Sequence, residues 1–237
     1  MSRRILLLRH GERLDEIGQS NNTFDPGLSA NGMVQAKEAW GGISKSCESK
    51  MAIYSSPMTR TLETAAPPGI EDVEAKWSVK IVPGLASCAA AVAQYGGIRG
   101  KHLPDPVLKS QDSLFERAKS INPSVDFSII DDSSSDSGLS QYANASELYA
   151  DKQFLNAVLA CVADADPSQL CVIVTHREGI RSLARKLTEG MRRPHTSYCC
   201  VASFHMEVGD GGGTPPPPFQ DWWYEDCWSF EEFGANE

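Results

Sequence analysis

Three short apolar runs in this chain are each followed, within about six residues, by a histidine or an arginine. Ile5-Leu6-Leu7-Leu8 leads into Arg9-His10-Gly11-Glu12-Arg13. Met51-Ala52-Ile53-Tyr54 leads into Ser55-Ser56-Pro57-Met58-Thr59-Arg60. Leu170-Cys171-Val172-Ile173-Val174 leads into Thr175-His176-Arg177-Glu178. Continuous apolar runs of this length read as strands buried on both faces, the pattern of a parallel sheet. Parallel strands need helical crossovers, so the chain is expected to be α/β. Open α/β sheets bind ligands outside the carboxyl ends of their strands. Two histidines and several arginines therefore arrive at the edge where a pocket belongs.

Local signals place helices after these strands. Ser56 reads as an N-cap and Pro57 as a first-turn residue, which puts Arg60 one turn into a helix near its anion-favouring amide end. Ser29 to Gly42 reads as a capped helix broken by Gly41-Gly42. Glu147 to Val162 carries an apolar stripe at helical spacing and leads through Asp164-Ala165-Asp166-Pro167 into the third strand, as a crossover should. A neutral imidazole is a nucleophile, and guanidinium groups are planar two-pronged partners for phosphate oxygens.

Taken in order, these motifs resemble the histidine phosphatase superfamily, whose fold is phosphoglycerate-mutase-like. Arg9-His10-Gly11 is similar to its N-terminal hallmark. Ser56-Pro57 with Arg60, Thr64 and Ala65 is similar to its Ser-Pro-x-x-Arg-x-x-x-Thr-Ala pattern, and His176 to its late histidine. Asp25-Pro26-Gly27-Leu28-Ser29-Ala30-Asn31-Gly32-Met33-Val34-Gln35-Ala36 is similar to its Pro-Leu-Ser/Thr-x-x-Gly-x-x-Gln-Ala segment. Ser197-Tyr198-Cys199-Cys200-Val201-Ala202 looks like the closing strand of the branch near the ecdysteroid-phosphate phosphatases and the Sts protein phosphatases. The resemblance runs from about Arg4 to about Met206. It implies three layers, a mostly parallel central sheet with helices on both faces. It also implies hydrolysis of a phosphomonoester through a phosphohistidine on His10, with Arg9, Arg13, Arg60 and His176 binding the phosphoryl group. No cofactor and no metal are expected: the arginines supply the charge, and the five histidines and seven cysteines show no ligand spacing.

One departure touches the chemistry. Related enzymes carry a general-acid glutamate in a Gly-Leu-x-Glu segment; here Val82-Pro83-Gly84-Leu85-Ala86-Ser87-Cys88 puts Ser87 at that position. A serine hydroxyl is a poor acid near neutral pH. Three accounts are open. Another acid substitutes, with Glu178 first and Asp105 and Asp25 behind it; or the enzyme favours esters with good leaving groups, such as aryl phosphates; or the chain is a low-activity or inactive module that binds phosphate or phosphoprotein. The helix-start position of Glu178 also suits a carboxylate that merely complements the helix dipole. Phosphoglycerate mutase is less favoured, because nothing matches the Arg-His-Tyr-Gly segment of mutases. Gln94-Tyr95-Gly96-Gly97 is nearest and lacks the basic residues.

Composition bounds the partners. The net charge of −9 argues against nucleic acid, so the basic pocket is a local island in an acidic protein. No run approaches a membrane span, and the four aliphatics before Arg9 are too short for a signal peptide. The seven scattered cysteines suit a reducing compartment, so the cytoplasm is expected. The substrate is then a small-molecule or protein phosphomonoester, and a homodimer stays open because the resembling branch often dimerises. The expected organisation is one phosphatase domain over 1–208 with a lid-like insertion at about 83–141, then a Gly/Pro linker and aromatic-acidic tail over 209–237. Within the insertion, Arg99, Lys101 and His102 could meet an anion, though solvated charge is the better explanation of each. The tail's tryptophans are expected to fold back on the domain, or to be buried by a partner or a second copy.

Overall fold

The computed structural model describes residues 2–21, 25–46, 50–69, 77–86, 111–130, 147–191, 194–207, 219–229 and 232. Seven strands form one sheet: β1 Ser2–Arg9, β2 Met51–Ser55, β3 Ser78–Ile81, β4 Asp126–Ile129, β5 Leu170–Thr175, β6 Val201–Glu207 and β7 Trp222–Trp228. Their order is β4-β3-β2-β5-β1-β6-β7. The first five of that series are mutually parallel, while β6 and β7 run antiparallel at one end. All three strands expected from the apolar runs lie together at its centre.

Side-chain alternation along the strands builds two cores. Leu6 and Leu8 of β1 with Val172 and Val174 of β5 face one side. They meet helix α1 (Ala30–Lys45) through Ala36, Trp40 and Ile43, α2 (Thr59–Ala65) through Leu62, and α3 (Gln111–Ile121) through Leu114 and Ala118. Ile5 and Leu7 with Cys171 and Ile173 face the other side. They meet α4 (Glu147–Asp164) through Phe154 and Val158, and α5 (Arg177–Leu187) through Ile180 and Leu183. The three-layer α/β architecture is thus as expected, with both faces of the central strands buried.

Several local expectations change. Helix α1 is capped by Ser29, whose hydroxyl accepts from the Gly32 amide, but it runs through Gly41-Gly42 to Lys45. Burial of Ile43 against the sheet outweighs the roughly 1 kcal/mol that a helical glycine costs. The closing strand starts at Val201, because Tyr198 and Cys199 form a turn in which Cys199 has φ 51°. Part of the stretch read as an insertion is framework: α3 packs in the core and β4 extends the sheet, whereas 87–110 and 131–141 lie outside the described residues. The segment read as a tail supplies β7, paired with β6 from Val201↔Trp228 to Met206↔Trp222. Among its described aromatics, Tyr224 packs against Phe204 at 5.3 Å and Trp222 is buried, whereas Trp223 is exposed.

Register sets the pocket. Arg9 lies beside Thr175, and Ser55 beside Val174, so β1, β5 and β2 end level. The next residues are pinned by backbone bonds: the His10 amide donates to the Thr175 carbonyl at 3.1 Å, and the Ser56 amide to the Val174 carbonyl at 3.1 Å. No described helix is long and apolar enough to cross a membrane.

Candidate active site

Two imidazoles face each other at the carboxyl end of the central strands. The rings of His10 and His176 lie 5.4 Å apart at 61°, both almost fully buried. Nδ1 of His10 lies 2.8 Å from the Gly11 carbonyl, which can only accept, so the proton is assigned to Nδ1 and the Nε2 lone pair is left free. Nε2 of His176 hydrogen-bonds the Ser56 hydroxyl at 2.9 Å. Nδ1 of His176 is buried without a partner among the described residues. Burial, then the neighbouring cations led by Arg60, hold both imidazoles well below the usual histidine range. Both are therefore neutral at physiological pH.

The cations are desolvated as well. Arg60, in the first turn of α2, is 5% exposed, and burial pulls its pKa down to about 10, leaving it cationic. Asp25 offsets this, with an oxygen 3.8 Å from the Arg60 guanidinium. Arg9 donates to the Thr196 carbonyl at 2.7 Å and lies 4.0 Å above the ring of Tyr198. That ring is also tilted against His10 at 5.9 Å. Arg9 Nε, Thr175 Oγ1, Thr196 Oγ1 and the Tyr198 hydroxyl are buried with no partner among the described residues. A region this cationic and short of acceptors suits a compact oxyanion.

Glycines and one threonine hold the His10 loop in place. A Cβ on Gly11 would meet the Gly32 carbonyl oxygen at 2.5 Å, and one on Gly32 would meet the Glu12 carbonyl oxygen at 2.3 Å. The loop and the start of α1 therefore touch backbone to backbone, which only glycine allows here. Thr64 donates to the Arg60 carbonyl at 2.7 Å and accepts from the Gly11 amide at 3.1 Å, tying α2 to the His10 loop. This accounts for the spacing of the Arg60…Thr64 pattern.

The remaining expected residues divide. Arg13 sits at the rim, bound by both oxygens of Asp15 and 3.6 Å from Glu16, with its charge acting on His176 and Arg60. Glu178, in the first turn of α5, accepts from Arg177 Nε at 2.7 Å, and its charge acts on Arg9 and Arg60. Ser87, Asp105, Arg99, Lys101 and His102 lie outside the described residues. Ser56 does not cap α2, because its hydroxyl is given to His176; the cap residue is Met58. Asp25 does the capping from a distance, accepting from the Thr59 amide and hydroxyl at 2.7 Å each. Its second oxygen also accepts from Arg117 at 2.7 Å. With both oxygens so committed, Asp25 is built as an ion-pair partner rather than a proton donor.

Three contributors carry no clear sequence signal. Arg117 comes from α3 and joins Asp25 and the Pro57 carbonyl, although it lies in a stretch without motif character. Thr196 supplies its carbonyl to Arg9 and a buried hydroxyl. Tyr198 lay inside a segment that reads as strand, where its ring has no assigned face. Among the described residues no group of three or more His, Cys, Asp or Glu side chains could hold a metal ion.

Comparison with known proteins agrees with the motifs. Residues 5–88 match the model of the histidine phosphatase superfamily (branch 1). A phosphoglycerate mutase from Bacillus anthracis str. Sterne superposes with TM-score 0.59 at 14% identity, covering 100% of this chain and 97% of that one. The ecdysone phosphate phosphatase from Bombix mori, solved with tungstate, superposes with TM-score 0.52 at 20% identity, covering 91% and 93%. A putative alpha-ribazole-5'-P phosphatase from Escherichia coli reaches 0.50 at 14% identity, covering 86% and 91%. Such likeness establishes the phosphoglycerate-mutase-like fold. No curated protein matches the chain by sequence.

Proposed function

From the histidine phosphatase superfamily match over residues 5–88, we propose that this protein is a phosphatase that hydrolyses a phosphomonoester through a phosphohistidine on His10. The observation that carries the reading is the free Nε2 lone pair of His10, buried among Arg9, Arg60 and His176. Phosphoryl transfer asks mainly for positioning and charge stabilisation, which these groups provide. Arg9, Arg60 and Arg13 hold the non-bridging oxygens, and His176 hydrogen-bonds the phosphoryl group.

In the first step Nε2 forms a bond to phosphorus while the ester oxygen leaves with its electron pair and takes a proton. In the second step water attacks phosphorus, the P–N bond breaks, and inorganic phosphate departs as Nε2 regains its lone pair. A neutral His10 is needed at the outset, and burial beside the cations keeps it so.

Glu178 is the first candidate for the leaving group's proton, since its charge reaches Arg9 and Arg60. Its bond from Arg177 equally suits a purely electrostatic role at the helix start. If no carboxylate serves, aryl phosphates will be turned over far faster than alkyl phosphates; if Glu178 serves, the two will differ little. A site that only holds phosphate is the second reading, favoured by Ser87 at the position of the usual glutamate.

Incubation with para-nitrophenyl phosphate, beside the His10→Ala variant, separates these readings. Release that vanishes in the variant supports the phosphatase. No release from the unaltered protein, with phosphate still bound, supports the binding module and overturns the proposal.

A further inference from the structure

The arginines around the two histidines are held in two different ways. Arg60 has an Asp25 oxygen 3.8 Å away, and Arg13 is bound by both oxygens of Asp15. Among the described residues no carboxylate is paired with Arg9. Its guanidinium instead lies 4.0 Å over the ring of Tyr198, and its Nη1 donates to the Thr196 carbonyl at 2.7 Å. The same ring meets His10 at 5.9 Å. The turn that carries Tyr198 is latched to both of these residues through the backbone. The Arg9 amide donates to the Cys200 carbonyl at 3.0 Å, and the Cys199 amide to the His10 carbonyl at 3.3 Å. Within that turn Cys199 has φ 51°, a left-handed conformation that a residue with a side chain rarely adopts. A strained turn kept beside two site residues points to a task for the side chain it presents.

Resting on the phosphate-binding site proposed above, we infer that Tyr198 is the positioning residue for Arg9: its ring holds the guanidinium in place without neutralising it. A carboxylate partner would also hold an arginine, but it would cancel much of the charge and repel an arriving phosphoryl oxygen. An aromatic ring attracts a cation through its quadrupole and carries no net charge, so the whole cation stays available to the ligand. The contact is strong here because Arg9 is buried, and cation–π attraction grows when the pair is out of water. Stacking fixes the position of a planar group over the ring, and the Thr196 carbonyl fixes its direction. Arg9 Nε has no partner among the described residues, so donor capacity is left for an oxyanion. Because the ring also packs against His10, the imidazole and the cation keep a set spacing. Tyr198 thus serves the grip on phosphate without touching the phosphoryl group.

The test uses the full chain with Tyr198→Phe, which keeps the ring, and two ringless variants, Tyr198→Leu and Tyr198→Gln, so that one folded ringless protein suffices. Each is also made beside Arg9→Lys. The readouts are turnover of para-nitrophenyl phosphate and calorimetric binding of orthovanadate, which can take the five-coordinate shape of phosphoryl transfer. Loss of the ring is expected to weaken vanadate about tenfold and to lower kcat by a similar factor, while KM moves less than about threefold. Misdirected donors lose most where the geometry is strictest, in the transition state. Tyr198→Phe should stay within about twofold of the unaltered protein, because the ring face survives. Beside Arg9→Lys, removing the ring should weaken vanadate less than about twofold, since no planar guanidinium is left to stack. Unchanged vanadate affinity in a folded ringless variant overturns the inference. A loss in Tyr198→Phe as large as the ringless loss also overturns it, because the hydroxyl then carries the role. So does a ringless loss that persists in full beside Arg9→Lys. Ring-dependent vanadate binding in a protein that hydrolyses no ester supports the inference and overturns only the phosphatase reading.

Discussion

Ser56 Oγ lies 2.9 Å from Nε2 of His176, joining the end of β2 to the residue that follows β5. The bond fixes the plane of an imidazole whose Nδ1 has no partner among the described residues. Ser56→Ala should cut kcat for para-nitrophenyl phosphate by about tenfold or more, in the range seen for misaligned catalytic groups. Loss of one buried hydrogen bond should cost about 1–3 kcal/mol of stability, read by urea unfolding. Unchanged kcat in the folded variant would remove Ser56 from any role in orienting His176.

The ion-pair cluster at Asp25 gives a second test. Asp25 neutralises two arginines, Arg60 and Arg117, and caps α2 through Thr59. Asp25→Asn should cost about 3–5 kcal/mol, because it strands cations that are largely buried. Arg117→Ala should cost less, since Arg117 is more exposed than Arg60, and should act chiefly on KM through the position of Arg60. A fall in kcat alone would contradict that.

Glycine positions make opposite predictions. Gly32→Ala forces a methyl group to 2.3 Å from a backbone oxygen of the His10 loop. It should destabilise by about 1–3 kcal/mol and lower activity further than stability alone explains. Gly41→Ala, on the exposed side of the same helix with nothing within 4 Å, should stabilise by about 0.5–1 kcal/mol and leave activity alone. Thermal melts and para-nitrophenyl phosphate turnover of the two variants decide both.

The buried histidines set the response to acid. Both folded-state pKa values lie below the unfolded value of about 6.5, so the unfolded chain takes up more protons between the two. Stability is therefore whole above about pH 6.5 and falls as the pH drops below it, by up to about 1.4 kcal/mol per pH unit for each histidine. Inorganic phosphate should oppose this loss by offering each imidazolium an anion. Urea midpoints at pH 7.5 and 5.5, with and without phosphate, test it. A midpoint insensitive to pH in that range, or one that phosphate does not move, counts against the buried pair.

Much of the site was legible because its residues sit beside features with strong one-dimensional signals. An apolar run fixes a buried strand, and the residues just after it inherit an address at the sheet's edge, which places His10 and His176; Ser56 reads instead as a helix cap, and its bond to His176 emerges only in the fold. Arg60 followed from its distance past Pro57. The spacing of Gly11, Gly32 and Thr64 reads as motif alone, and its cause emerges only when helix and loop meet backbone to backbone. Arg117 was invisible because its partner Asp25 is 92 positions away and no local pattern ties them. Strand β7 was missed for a related reason. Its acidic and aromatic residues alternate irregularly, and a bulge between Ser203 and Phe204 of β6 shifts the pairing, so no clean two-residue period survives.

That strand has a consequence for how the molecule is made. Residues 222–228 lie beside β6, which lies beside β1, and the turn ahead of β6 carries the aromatic ring on which Arg9 rests. Because β7 is the last of the seven in chain order, the sheet can be finished only after the segments that supply the other six strands have been made. Until β7 arrives, the edge of β6 stays open to other nascent chains, so clean folding should depend on how quickly that last strand docks.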